Sequence, residues 1–167
     1  SGDGRALLYL QDSDGDENFH LFGLDLASGR ERDYTPIKDA KAQNLLVCPD
    51  HPQEILIGLN LREPRLFDMY RINLASGALA LDTENPGDVR WWLPDSKLEI
   101  RAAVAIDPNT ADQDLRVRDG RNQPWRVLIH WPFGESGVLE GYGSQLAIDF
   151  SPDGRSLYVQ SALHTDT

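Results

Sequence analysis

Two copies of nearly the same pentapeptide stand 48 residues apart, Asp25-Leu26-Ala27-Ser28-Gly29 and Asn73-Leu74-Ala75-Ser76-Gly77. The apolar residues before them keep the offset, with Phe22, Leu24 and Leu26 answered by Tyr70, Ile72 and Leu74, and ALLYLQD at 6–12 falls on EILIGLN at 54–60. A second marker, Pro-Asp followed by an apolar run, occurs at Pro49-Asp50, Pro94-Asp95 and Pro152-Asp153, at spacings of 45 and 58 residues. The opening SGDGRALLYLQ also aligns with SPDGRSLYVQS at 151–161. Repeats of this length are those of propeller blades, each too small to bury its apolar face alone.

The repeats read as strands. Ile100, Ala102, Val104 and Ile106 alternate with period two, as do Trp125, Val127, Ile129 and Trp131, whereas EILIGLN is apolar almost throughout and suits a strand buried on both faces. Ser-Gly and Asp-Gly pairs punctuate them as tight turns. No stretch has a helical apolar period; IKDAKAQN at 37–44 is the nearest, and it reads as a loop with one turn. The fold class is therefore all-β, a partial β-propeller of about three to four blades of four-stranded antiparallel sheet.

Labelled A to D outwards, the strands of blade two fall at about 43–48, 54–60, 68–74 and 78–82. Those of blade three fall at about 88–93, 98–106, 114–118 and 125–131. Blade one covers about 1–35 without its inner strand, blade two about 43–82, blade three about 88–131, and a fourth starts at about 145–167. Closure normally takes about 4–8 blades, so the chain reads as a piece of a larger propeller. Unpaired edges and blade faces would then make the isolated segment self-associate, and light scattering at high concentration checks this.

Antiparallel alternation sorts the connections onto two faces. The tight Pro-Asp and Ser-Gly turns share one; the long segments 13–19, 36–42, 61–67, 83–87, 107–113 and 132–144 share the other, where binding is expected.

Composition removes several functions. With 16 Lys+Arg against 27 Asp+Glu the formal charge is −11, the wrong sign for nucleic acid. No apolar run approaches the roughly 20 residues of a membrane helix, and no signal-peptide core opens the chain. The cytoplasm is favoured, although these features do not fix the compartment. The lone Cys48 leaves no internal disulfide or multi-cysteine zinc site.

Asp12, Asp14 and Asp16 have the spacing of the first ligands of an EF-hand, but Glu17 stands where glycine belongs and Gly23 where the closing glutamate belongs. A solvated hairpin loop is the better reading, and no metal or cofactor is expected. G-x-S-x-G is absent; GESG at 134–137 and GYGSQ at 141–145 only approach it. His20, His51, His130 and His164 lie on different blades, and Cys48 reads as a small buried filler. No catalytic residue is assigned. Arg62 and Arg65 could receive a carboxylate, with pairing to the chain's own acids the stronger reading; Trp91, Trp92 and Trp131 read as core. The binding candidates on the long-loop face are thus Asp14, Asp16, Glu17, Arg62 and Arg65.

DSDGDENFHLFGLDLASGRERDYTP at 12–36 resembles the propeller hairpin of prolyl oligopeptidase-family serine peptidases, in the dipeptidyl aminopeptidase and acylaminoacyl peptidase branch. LNLREPRLFDMYRINLASGAL at 59–79, TENPGDVRWWLPD at 83–95, LEIRAAVA at 98–105, PWRVLIHW at 124–131 and FSPDGRSLYVQS at 150–161 are similar in the same order. The resemblance implies an α/β-hydrolase domain of the same parent chain, carrying Ser, Asp and His. The propeller would cap it and restrict access to peptides or short acylated substrates. None of that triad maps here, so the segment alone is not an enzyme, and no substrate-binding residue is carried over. The alternative is a fragment of a non-enzymatic propeller binding or scaffold protein that shares the Pro-Asp-Gly repeat.

Overall fold

The computed structural model describes residues 1–13, 15–133 and 147–160, in two compact units, Ser1–Asn85 and Pro86–Thr167. All regular structure in the described residues is strand.

In the first unit, β1 (Ala6–Gln11), β2 (His20–Asp25) and β3 (Glu31–Asp33) form a three-stranded antiparallel sheet in chain order. β4 (Ala42–Val47), β5 (Glu54–Glu63), β6 (Leu66–Asn73) and β7 (Leu79–Thr83) form a four-stranded one, also in chain order. Leu21 from β2 packs with Ile55, Ile57 and Leu59 from β5 and Ile72 from β6 in one core cluster. Leu56, which alternates to the other face of β5, is equally buried, as the continuous apolar run required. Each such side chain contributes about 1.5–3 kcal/mol on leaving water.

In the second unit, β8 (Val89–Pro94), β9 (Ile100–Ile106), β10 (Gln113–Val117) and β11 (Arg126–Trp131) form a second four-stranded meander, and β12 (Ala147–Phe150) pairs with β13 (Leu157–Val159). Val104, Leu115 and Trp131 form its core, with Phe150 and Leu157 packed against them. Both faces of β9 are buried, beyond the single face that its alternation implied. On β11 the alternation breaks. Ile129 opposes Leu115 but Val127 opposes Arg116, so Leu128 is an extra residue, a β-bulge that leaves Val127 exposed. Trp92 and Trp131 are buried as expected, whereas Trp91 is 37% exposed.

The repeated pentapeptide is one hydrogen-bonded device. The Asp25 carboxylate accepts from Ser28 N at 2.7 Å, and Asn73 Oδ1 accepts from Ala75 N at 3.1 Å and Ser76 N at 2.9 Å. Both turns close on a glycine of positive φ, Gly29 at 67° and Gly77 at 78°. A third copy joins β9 to β10, where Asp107 accepts from Asn109 N and Thr110 N. There Ala111 takes the glycine's place at φ 61°. Similarly, Ser1 and Ser151 each accept, on the side-chain oxygen, the backbone N–H five residues on, both at 2.9 Å.

Neighbouring sheets within each unit are joined by an arginine laid on such a turn. Arg32 donates to Ala75 O at 3.2 Å and Ser76 O at 2.9 Å while stacking on Tyr34. Arg101 donates to Gly154 O at 2.7 Å while stacking on Phe150.

The segment 61–67 is corrected. Instead of a long connection it is a tight hairpin, because β5 runs on to Glu63 and β6 begins at Leu66. The ladder resumes at Glu63 opposite Leu66 after a register shift.

Candidate functional site

Three segments assigned to the long-loop face meet in the first unit. Glu17 and Phe19 from 13–19, Lys41 from 36–42 and Phe67 from 61–67 line a groove of about 420 Å³, together with Leu10, Ala42 and Gln43. This volume lies within the range of small-ligand sites. The walls are tied by the backbone: Ala42 N donates to Phe19 O at 2.7 Å, and Lys41 N to Asn60 Oδ1 at 2.6 Å. Asn60 Nδ2 donates in turn to Pro64 O at 3.1 Å, which fixes the β5–β6 hairpin against the same wall.

The loop carrying Glu17 is set by its acids. Asp16 accepts from Asn18 N at 2.9 Å and Asn18 Nδ2 at 3.0 Å, and these bonds hold its carboxyl below the usual range. Asp12 accepts from Glu17 N at 3.3 Å, and Glu17 itself sits at φ 59°. The Glu17 carboxylate and the Lys41 ammonium make no hydrogen bond or ion pair within the described residues. Leu10 and Phe19 leave 36% and 41% of their surface open.

The other sequence candidates have different placements. Asp14 and His164 lie outside the described residues. Arg62 is committed to the protein itself: Nε and Nη2 bind both oxygens of the fully buried Asp68 at 2.9 and 2.8 Å, and Nη2 also reaches Asn85 O at 2.9 Å. Asp68 accepts a third bond from Asn85 N at 2.7 Å. Arg65 is 90% exposed and only 3.5 Å from Glu63, so the two arginines do not converge. Among the described residues no three His, Cys, Asp or Glu side chains are placed to hold a metal. Sequence reasoning missed Leu10, Phe19, Lys41 and Phe67, whose common feature is only that separate segments bring them together.

The second unit holds a small polar cavity of about 90 Å³ between Asp88, Asp107, Asp112, Asp114, Arg116 and His130. Arg116 binds both oxygens of Asp88 at 3.0 and 2.7 Å, and lies 3.5 Å from Asp114, which holds His130 Nδ1 at 2.8 Å. That last hydrogen bond raises the His130 pKa above its ordinary 6.5, with the Asp114 and Asp112 charges adding to it. The folded state thus binds this proton more tightly than the unfolded one. The resulting stabilisation is complete below pH 6.5 and is lost as pH rises through the folded value. NMR titration is expected to place the His130 midpoint above 6.5, and Asp114→Asn to lower it; an unchanged midpoint would show that the pairing does not form in solution.

Solved structures define the class first. The chain is similar to the β-propeller domain of the Trilobed protease from Pyrococcus furiosus, with 13% identity and a TM-score of 0.51 over 77% of this chain and 40% of that one. It is also similar to TolB from Acinetobacter baumannii, with 16% identity and a TM-score of 0.53 over 78% and 30%. At those identities the likeness shows the fold alone: the sheets are blades of a partial β-propeller. Sequence then narrows it. The chain is 35% identical over 162 residues to dipeptidyl aminopeptidase BIII of Pseudoxanthomonas mexicana, covering 97% of this chain and 22% of that protein. No protein-family model matches. The chain is a propeller segment related to those of prolyl oligopeptidase-family peptidases, as the resemblance at 12–36 and 59–79 implied.

Proposed function

We propose that this segment belongs to a propeller that caps the α/β-hydrolase domain of a serine peptidase and gates the passage of peptides to it. The supporting observation is the sequence relation to a dipeptidyl aminopeptidase along nearly the whole chain. The TolB likeness carries the fold and no more, so nothing favours the scaffold alternative specifically. In this reading the blades cover about 1–35, 43–82, 88–131 and 145–167, the chemistry is supplied by the hydrolase domain of the parent chain, and the substrates are short or acylated peptides. The long-loop face, which carries the groove, is the one that peptides meet.

The test is hydrolysis by the parent protein. It is expected to cleave short chromogenic peptides and to leave the same sequence uncut within a long polypeptide. Equal cleavage of both would remove gating, and no cleavage of either would remove the peptidase reading.

A further inference from the structure

The groove of the first unit is lined by apolar side chains and by two charges of opposite sign. Lys41 has no anionic partner within the described residues, and neither has Glu17 a cationic one. Lys41 and Glu17 both line the groove, with Leu10, Phe19 and Phe67 beside them. Glu17 adopts φ 59°, and Asp39 and Asn44, which flank the Lys41–Gln43 wall, adopt 62° and 52°. Left-handed backbone in residues other than glycine persists only where the surroundings over-determine it.

We propose that this groove binds a short extended peptide segment, with one apolar side chain against Leu10, Phe19 and Phe67, an acidic side chain toward Lys41 and a basic side chain toward Glu17. Charge complementarity selects this occupant. A lone anion would meet the Glu17 carboxylate, a lone cation the Lys41 ammonium, and a wholly apolar ligand would strip water from both without replacing it. An apolar residue between side chains of opposite charge satisfies all three. The inference deepens the peptidase reading by naming what the propeller recognises. It is measured as binding, so it can fail while the parent still cleaves peptides, and can hold if the parent cleaves none.

The experiment is an NMR titration of the full chain with capped tripeptides: Lys-Leu-Glu, its reverse Glu-Leu-Lys, Ser-Leu-Ser and Glu-Leu-Glu. One of the two mixed-charge peptides is expected to bind about fivefold more tightly than Ser-Leu-Ser, the scale of well-placed surface ion pairs. Its shift changes should centre on residues 17–19 and 41–43. Glu17→Gln and Lys41→Gln should each remove part of that advantage while leaving Ser-Leu-Ser binding unchanged. Phe19→Ala, at a side chain that is already open to solvent, should weaken all four peptides with the spectrum otherwise intact. Equal affinity for the charged and uncharged peptides, indifference to Phe19→Ala, or no shift changes at about 10 mM peptide, beyond any specific affinity, would each overturn the proposal.

Discussion

Arg62→Met is expected to lower the stability of the first unit by about 3–5 kcal/mol at neutral pH, the cost of leaving a buried carboxylate without its cation. Asp68 has no exposed side-chain surface, and two of its three hydrogen bonds come from Arg62. The two partners are not equivalent. Arg62 leaves 43% of its side chain exposed, so Asp68→Ala frees a guanidinium that water can reach, and should cost less, about 2 kcal/mol. In the double variant Arg62→Met/Asp68→Leu no charge is left buried, and much of the loss should return. All four tryptophans lie in the second unit, so far-UV circular dichroism in urea, compared with tryptophan fluorescence, assigns the change to the first. A loss below about 0.5 kcal/mol for Arg62→Met, ordinary for a surface substitution, would mean that Arg62 is available to a ligand after all.

Gly77→Ala should be the next most damaging change, at about 2–3 kcal/mol. A left-handed backbone costs an L-residue about 1–2 kcal/mol, and here the added Cβ would also collide with Arg32 Nη2. The guanidinium can swing away only by giving up Ala75 O and Ser76 O, at about 1 kcal/mol for the pair of exposed bonds. Gly29→Ala is the internal control, since its φ of 67° is similar and no atom lies within reach of its Cβ. It should show the backbone cost alone. With Arg32→Ala already in place, the two glycine substitutions should cost the same; a persisting difference in urea midpoint would mean that Arg32 does not join the two sheets.

The parts of this fold that were legible in the sequence are those written by local chemistry. DLASG and NLASG announce a turn because a carboxylate or amide oxygen, a serine N–H and a glycine of positive φ are all within five residues. The continuous apolar run at 54–60 announces a strand buried on both faces for an equally local reason. The turn at 107–111 escaped notice because Ala111 occupies the left-handed position without a glycine to signal it. The β5–β6 hairpin reads as a loop in the sequence because Arg62 and Glu63 look like loop residues, whereas Arg62 is held in the strand by an acid six positions away. Asp68 itself was the signal available, a lone acid in the strand LFDMYRIN.

For the candidate site, the sequence offers Glu17 only beside Asp14 and Asp16, and the structure sets it in one groove with Leu10, Phe19, Phe67 and Lys41. Phe19 and Lys41 are 22 residues apart in sequence, joined by the Ala42–Phe19 backbone bond, and no spacing rule connects them. The groove is a product of sheet geometry: the β1–β2 loop and the connection into β4 are brought together by their strands, and the residues at their ends follow.

The central claim is that this chain caps a peptidase, and the coding sequence beyond Thr167 tests it most directly. Further Pro-Asp repeats should be followed by a strand, a G-x-S-x-G turn leading into a helix, and then an Asp and a His in that order, the arrangement of an α/β-hydrolase. A frame that completes the propeller and stops without that sequence would contradict the account, and would leave a closed binding scaffold in its place.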